Sequence, residues 1–174
     1  MSEEDRDYLL GIISAYKMFC RQGRTACFVD LSKKKLAKMP SQEWVALSAK
    51  KLSESIGPMN VGVGIIPKNE WVLDVDDPKE FMAYVAQDTS GRFPKTDTLL
   101  VKSPRGFHYH FLGEAPTHRK AFPGADVVGS TLMIIMPPSR GYTYLRNTSI
   151  VPAAPQLADY VRGLPDTGYK GEKK

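Results

Sequence analysis

Cysteine and histidine are scarce in this chain of 174 residues, which contains two cysteines and three histidines. Cys20 and Cys27 are too few for a disulfide framework. Their spacing fits no common zinc pattern, and no second pair of Cys or His residues completes one. We therefore expect reduced thiols and no structural zinc.

Long apolar runs are missing as well. No run approaches the length of a membrane-spanning helix, and the acidic start at residues 2–5 does not resemble a signal peptide. These absences predict a cytoplasmic protein with no membrane partner. The length suggests one domain with a sizeable core, and the apolar and charged fractions of 42% and 25% are ordinary for a globular protein.

Positive and negative charges are separated along the chain, whose net charge is +5. The stretch 21–51 carries eight Lys or Arg residues against two acids, whereas the stretch 69–90 carries six acids against one lysine. A basic segment beside an acidic one suits a protein that holds polyanions with the first and metal ions with the second. The alternative is a solvated basic face.

The run Trp71–Asp76 is a β-prone apolar segment that ends in two carboxylates. Asp74 and Asp76 are separated by one residue, so a strand directs both to the same side. Two carboxylates this close repel each other unless a positive group lies between them, and a divalent metal with oxygen ligands is the usual partner. Alternatively, this is a strand end that turns into Asp77-Pro78, where acids are common.

A second polar group lies in a predicted turn and the strand after it. Gly106 permits close approach of the backbone to a ligand. Ser103, Arg105 and His108 can each donate a hydrogen bond to phosphate oxygens. A structural role is the alternative for His108. With His110 on the same strand face it could also bind zinc, although no third nitrogen or sulfur ligand supports this.

Two further polar residues lie near strand ends. Asp126 begins a predicted strand and matters only as a third carboxylate. Arg140 follows the rigid segment Pro137-Pro138-Ser139, where it could meet an anion or the solvent.

Apolar periodicity predicts both helices and strands. Helices are expected over residues 5–21, 42–56, 78–87 and 156–162. Strands are expected over residues 25–31, 60–66, 70–75, 98–102, 107–112, 126–128, 131–136 and 142–145. The second and third of these strands are expected to form a hairpin. Hairpins mixed with separate helices indicate an α+β fold with a mixed or antiparallel sheet core and flanking helices.

Five short motifs follow one another in a characteristic order. They are Asn60–Gly64, Val72–Asp76, Ser103–His108, Ala125–Gly129 and Met136–Arg140. In this order they resemble the primase-polymerase (prim-pol) domain of the archaeo-eukaryotic primase superfamily, which occurs in plasmid and phage replication proteins. The ordered match runs from about Asn60 to Tyr144.

This resemblance implies an archaeo-eukaryotic primase-like fold and template-dependent nucleotidyl transfer on single-stranded DNA. It implies a catalytic domain over residues 1–155, with a basic N-terminal module at 1–58 and the metal and nucleotide site at 59–155. A short helix and a disordered tail are expected over 156–174. The implied catalytic and metal-binding residues are Asp74, Asp76 and Asp126. The implied contacts to the incoming NTP or dNTP are Ser103, Arg105, Gly106, His108 and Arg140.

The chemistry of phosphoryl transfer agrees with this resemblance. The reaction needs charge neutralisation and in-line positioning, and two divalent ions about 3.5–4 Å apart can activate a primer 3′-hydroxyl and stabilise the leaving pyrophosphate. We therefore expect two Mg²⁺ or Mn²⁺ ions and no zinc. Template phosphates are expected along the basic segment, at Lys33, Lys34, Lys35 and Lys38.

The expected partners are the template, the nucleotide and a replicative helicase, which is either separate or part of a longer parent chain. The expected setting is the interior of a prokaryotic cell, on a plasmid or phage. Two alternatives from other classes stay open. One is a metal-dependent phosphoesterase or nuclease that uses the same acids and histidines, and the other is a non-catalytic nucleic-acid-binding module of a replication initiator.

Overall fold

A computed structural model describes residues 1–33, 35–36 and 45–168 of the chain. Four helices and eleven strands lie within these residues. The helices are α1 (Glu3–Arg21), α2 (Val45–Ile56), α3 (Pro78–Gln87) and α4 (Pro155–Arg162). The strands are β1 (Thr25–Asp30), β2 (Lys35–Leu36), β3 (Val61–Ile66), β4 (Glu70–Val75), β5 (Leu100–Lys102), β6 (Phe107–Leu112), β7 (His118–Phe122), β8 (Ala125–Val128), β9 (Ile134–Met136), β10 (Thr143–Arg146) and β11 (Val151–Pro152).

The chain divides into two compact units. The first comprises Met1–Ile66 and Met133–Thr143, and the second comprises Pro67–Leu132 and Tyr144–Lys174. Contacts between residues define these units and do not reveal their functions. The predicted basic module at residues 1–58 and the predicted metal and nucleotide site at residues 59–155 therefore stay predictions.

Helix α1 of the first unit begins with a reciprocal cap. The backbone amide of Asp5 donates to the hydroxyl of Ser2 at 3.1 Å, and the amide of Ser2 donates to the carboxylate of Asp5 at 3.2 Å. The buried residues of α1 recur three or four positions apart, and they are Leu9, Ile12, Ala15, Tyr16 and Phe19. The predicted helix over residues 5–21 is thus confirmed, with a start two residues earlier.

The first unit also contains a four-stranded sheet with the order β2-β1-β3-β9. Strand β3 pairs antiparallel with β1 along six residues and with β9 along three. Five of its six residues are buried, as expected for a strand with a neighbour on each edge.

The second unit contains a seven-stranded sheet with the order β10-β5-β6-β4-β8-β7, and β11 pairs in parallel with the end of β6. The pairs along β5, β6, β4, β8 and β7 are antiparallel. Phe81 of α3 and Leu157 of α4 join Trp71 and Phe111 of the sheet in one buried apolar cluster. Antiparallel sheets with separate helices confirm the predicted α+β class.

The predicted hairpin between residues 60–66 and 70–75 is wrong. Both strands form, as β3 and β4, but they belong to different sheets. Strand β4 pairs with β6 along six residues and with β8 along four. Each strand therefore satisfies its backbone groups with partners that are distant in sequence, and Pro67-Lys68-Asn69 begins the second unit.

The sequence pattern does not predict three of the strands, namely β2, β7 and β11. Strand β7 contains the polar run His118-Arg119-Lys120, which lacks apolar alternation, and β11 has only two residues. Helix α4 confirms the predicted short helix near residue 156, whereas the predicted disordered tail lies largely outside the described residues. Among those residues, no helix is both long and apolar enough to cross a membrane.

Candidate metal and nucleotide site

Three of the predicted site residues form a row across the sheet of the second unit. Asp74 of β4 lies opposite His108 of β6 and, on its other edge, opposite Asp126 of β8. Directly opposite residues of antiparallel strands have their side chains on the same face. The pairing register therefore brings together residues that are up to 52 positions apart in sequence.

Alternation explains why this row faces away from the core. The neighbours of these residues along the strands, Leu73, Tyr109 and Val127, all belong to or pack against the buried apolar cluster. Because successive side chains of a strand point to opposite faces, Asp74 and His108 are directed to the other side of the sheet.

Asp76 lies just beyond the end of β4 and is held there by the turn before β8. The backbone amides of Asp76 and Asp77 both donate to the carbonyl of Gly124, at 3.0 and 3.1 Å. Gly124 has a φ of 72°, and a Cβ atom there would lie 2.5 Å from the carbonyl oxygen of Asp77. Glycine is thus required for the close approach that holds Asp76 beside Asp126.

The neighbouring carboxylate of Asp77 has a different role. Its Oδ1 atom accepts a hydrogen bond from the backbone amide of Glu80 at 3.0 Å, which makes Asp77 the N-cap of α3. Of the consecutive acids Asp76 and Asp77, the first therefore belongs to the candidate site and the second to the helix.

The carboxylates of this site influence one another electrostatically. Burial raises the pKa of Asp76, and the negative charges of Asp74 and Asp126 raise it further, while Arg105 and His108 oppose this shift. The net effect is a raised pKa for Asp76, and burial is its largest cause. An added cation would favour the ionised form.

Each of the three carboxylates has its own partner. His108 Nε2 lies 3.3 Å from Asp74 Oδ1, and a guanidinium nitrogen of Arg105 lies 2.7 Å from Asp76 Oδ2. The backbone amide of Lys120 donates to Asp126 Oδ1 at 2.7 Å. With the side chains directed to these separate partners, no group of three or more His, Cys, Asp or Glu residues in the described ranges is arranged to hold a metal ion.

The donor set nevertheless suits a hard divalent cation. Mg²⁺ and Mn²⁺ prefer carboxylate oxygens, and Asp74, Asp76 and Asp126 supply them from two strands and one strand end. Moreover, Asp74 Oδ1 is buried, and its contact with His108 Nε2 at 3.3 Å does not have hydrogen-bond geometry. A metal ion would give this buried carboxylate oxygen a stronger partner.

The turn at residues 103–106 presents Arg105 to this site. The amide of Ser103 donates to the carbonyl of Gly106 at 2.9 Å, and the amide of Gly106 donates to the hydroxyl of Ser103 at 3.0 Å. Ser103 is buried, so its hydroxyl stabilises the turn. A Cβ atom on Gly106 would lie 1.7 Å from the carbonyl oxygen of Val75, which means that only glycine lets this turn lie against the end of β4.

His110 lies on the same strand face as His108, as predicted, but in a different environment. Its side chain is fully buried, and Nδ1 lies 3.7 Å from a carboxylate oxygen of Glu70. His108 therefore lies in the carboxylate row, whereas His110 lies beside a single buried acid.

A cleft of about 750 Å³ opens at this end of the sheet. Asp76, Asp126 and Arg105 line it, together with Arg119 and Lys120 of β7. Sequence reasoning missed these last two residues. Their position in the sequence could have indicated them, because they lie shortly before the turn at Pro123-Gly124 and before Asp126. This tight turn folds β7 back along β8 and so brings both residues near Asp126.

The other predicted binding residues lie in the first unit. Arg140 is exposed, and its backbone amide donates to the hydroxyl of Tyr8 at 3.0 Å. Lys33 is exposed, with its ammonium group 4.0 Å from the carboxylate of Asp30. Lys34 and Lys38 lie outside the described residues, as does the side chain of Lys35. The nucleotide-binding and template-binding roles of these residues stay predictions.

A scan against models of protein families and a search of curated proteins both find no match for this chain. The function is therefore inferred from the residues of the site and their geometry.

Proposed function

We propose that this chain is a primase-like nucleotidyltransferase, which adds nucleotides to a nucleic-acid strand as directed by a single-stranded template. The observation that carries the proposal is the row of His108, Asp74 and Asp126, with Asp76 beside it. This row combines oxygen ligands for divalent ions with donors for phosphate at one end of one sheet.

The mixed charge of the cleft supports this substrate class. Its lining contains both carboxylates and the cations Arg105, Arg119 and Lys120. A purely acidic cleft would suit a metal ion alone, and a purely basic one would suit a polyanion alone. A metal–polyphosphate complex carries both charges, so each part of the complex finds an opposite charge here.

The residues divide into two roles in this proposal. Asp74, Asp76 and Asp126 would hold two Mg²⁺ or Mn²⁺ ions, whose positive charge would favour ionisation of the 3′-hydroxyl and stabilise the leaving pyrophosphate. Arg105 and His108 orient the triphosphate of the incoming nucleotide, since both can donate charge-assisted hydrogen bonds to its oxygens. Ser103 and Gly106 position Arg105 through the turn that they close.

The five ordered motifs support the same conclusion from the sequence side. The first four motifs overlap strands β3, β4, β6 and β8, and the second, third and fourth motifs supply the row of Asp74, His108 and Asp126. On this basis we propose an archaeo-eukaryotic primase-like fold, a replicative helicase as partner and action inside a prokaryotic cell, on a plasmid or phage.

Primer extension tests this function directly. A 5′-labelled primer annealed to a longer template is incubated with Mg²⁺ or Mn²⁺, with and without nucleotides. We expect the labelled strand to lengthen only when the complementary nucleotide is present. Shortening of the strand without nucleotides would identify a nuclease and contradict the proposal. Binding without any change in length would identify a non-catalytic binding module and would contradict it equally.

A further inference from the structure

Strand β7 departs from regular pairing beside the carboxylate row. Its register with β8 shifts between His118 and Phe122, and Lys120 has a φ of 53°, which is rare for a residue with a side chain. Irregularities of this kind redirect side chains and are frequent near functional sites. Here, both Arg119 and Lys120 are exposed and line the cleft that contains Asp126.

The backbone of this irregular segment is held on both sides. On the side of β8, the amide of Lys120 donates to Asp126 Oδ1 at 2.7 Å. On the outer side, the amide of Arg119 donates to the hydroxyl of Thr167 at 3.1 Å, and the amide of Thr167 donates to the carbonyl of Thr117 at 2.8 Å. The two cations are thus presented by a fixed strand and not by a loose loop.

The strand order separates these cations from the others of the cleft. Along the sheet, β6 is followed by β4, β8 and β7. Arg105 of this cleft lies in the turn before β6, on one side of Asp74. Arg119 and Lys120 lie on β7, beyond Asp126 on the other side. Positive charge therefore flanks the carboxylates from two directions.

Nucleotidyl transfer requires two anionic groups to meet at the metal ions. One is the triphosphate of the nucleotide, and the other is the strand whose 3′-hydroxyl attacks it. If Arg105 and His108 hold the first, the second would approach from the side of β7, because the carboxylates that would hold the metal ions lie between β6 and β7 in the strand order.

We propose that Arg119 and Lys120 bind the backbone phosphates of the primer strand next to its 3′ end, so that β7 forms the primer side of the cleft. This inference rests on the proposed function and adds the identity of the second substrate and its direction of approach. Contacts to phosphates are independent of base sequence, which suits a primer of changing sequence.

The test compares a double variant, Arg119→Gln with Lys120→Gln, with the wild type. Glutamine removes the charges but keeps similar side-chain lengths, and the bond from residue 120 to Asp126 is retained because it uses the backbone amide. The matched control is Lys68→Gln with Lys95→Gln, which removes two exposed charges of the same unit outside the cleft.

Binding is measured by fluorescence anisotropy with Mg²⁺ and no nucleotides, over a range of salt concentrations. The probes are a labelled primer–template with a recessed 3′ end and the template strand alone. We expect the double variant to lose about tenfold in affinity for the primer–template. We expect the slope of log K against log salt to fall by about 1.5, which corresponds to two phosphate contacts. Affinities for the template alone and for the nucleotide, the latter measured by calorimetry, should be unchanged.

Three outcomes would overturn the inference. They are unchanged affinity for the primer–template, an equal loss for the template alone, and a loss confined to the nucleotide. The proposed function fails separately: if the wild type extends no primer, that function is contradicted whatever the anisotropy shows. If it extends primers while the double variant binds them normally, only the role of β7 is contradicted.

Discussion

The two faces of the sheet formed by β4, β6 and β8 are built from alternate residues of the same strands. On one side, which we call the apolar face, Leu73 and Tyr109 join the cluster that packs against α3 and α4. On the other side, which we call the polar face, Asp74, His108 and Asp126 lie opposite one another. A shift of one residue in register would exchange the two faces.

This comparison shows that residues that stabilise the fold alternate along the same strands with residues of the candidate site, so that the two sets lie on opposite faces of the sheet. The apolar face stabilises the fold by burying hydrocarbon, at about 25 cal/mol per Å². The polar face keeps carboxylates close together, and the raised pKa of Asp76 shows that this arrangement opposes folding when the group is ionised. Substitutions on the apolar face should therefore reduce stability, and those at the carboxylate site should reduce activity.

The largest effect is expected for Asp76→Ala at the carboxylate site. Loss of a shared metal ligand should reduce nucleotide incorporation by about 10³-fold or more, equivalent to about 4 kcal/mol of transition-state stabilisation. The melting temperature should not fall, because the side chain of Asp76 is 40% exposed and does not belong to the buried apolar cluster. Steady-state incorporation and thermal unfolding are the measurements.

Asp77→Asn is the matched control for this variant. Asparagine caps helices as well as aspartate does, and Asp77 serves α3, so activity and stability should both stay near those of the wild type. Equal losses of activity in both variants would show that the local structure, and not a specific ligand, had been lost.

On the apolar face, Phe111→Ala should have the opposite effect. Phe111 is buried, and its ring centroid lies 4.8 Å from that of Trp71. Its truncation should reduce the free energy of unfolding by about 3–5 kcal/mol, as measured in urea, while the folded fraction keeps its activity. Leu112→Ala, at the next and exposed position, should change stability by less than about 0.5 kcal/mol. A small effect of Phe111→Ala would contradict the division between the faces.

A smaller effect is expected for Arg105→Gln, beside the carboxylate row. The guanidinium of Arg105 is largely exposed and lies 2.7 Å from Asp76, so its loss should leave the fold intact. Losing a charge-assisted contact to the triphosphate should raise the KM for the nucleotide by about tenfold, which corresponds to a loss of about 1.4 kcal/mol of binding free energy. The anisotropy of a labelled template measures strand affinity, which should not change. A normal KM with weakened template binding would reassign Arg105 to the strand.

The smallest effect concerns the pH dependence of stability. The pKa of Asp76 is raised in the folded state above its ordinary value of 3.8, so its contribution to stability is present below that value and is lost as pH rises through the folded pKa. Asp76→Asn should therefore melt slightly higher than the wild type at about pH 7, and the difference should vanish at about pH 3.5. A variant that melts lower at neutral pH would show that the pair with Arg105 outweighs the combined effect of burial and carboxylate repulsion on Asp76.

The local parts of the site could be predicted from the sequence. The strand that contains Asp74, the turn with Gly106 and the strand with His108 each follow from the local sequence, through apolar alternation and turn residues. The cross-strand register of Asp74 with Asp126 is a contact between distant residues, so local patterns do not contain it. The resemblance to prim-pol domains suggested the grouping, and the register is what brings the residues together.

The wrong prediction of a hairpin and the failure to predict β7 also arise because local patterns do not contain contacts between distant residues. The hairpin across residues 67–69 satisfies every local rule, but β3 and β4 pair with partners that are distant in sequence. Strand β7 was missed because Arg119 and Lys120 interrupt the apolar alternation, and the bulge that they form is defined by tertiary contacts. Likewise, the separate roles of Asp76 and Asp77 depend on where α3 begins.

Counting bound Mn²⁺ by electron paramagnetic resonance tests the central claim most directly, namely that carboxylates from β4 and β8 form one metal site. The wild type is compared with Asp74→Asn, Asp76→Asn and Asp126→Asn, and with the control Asp88→Asn, whose carboxylate pairs with Arg92 elsewhere in the unit. We predict that the three site variants each weaken Mn²⁺ binding by about tenfold or more, while the control binds like the wild type. Mn²⁺ binding that is unchanged in all three site variants would contradict the claim.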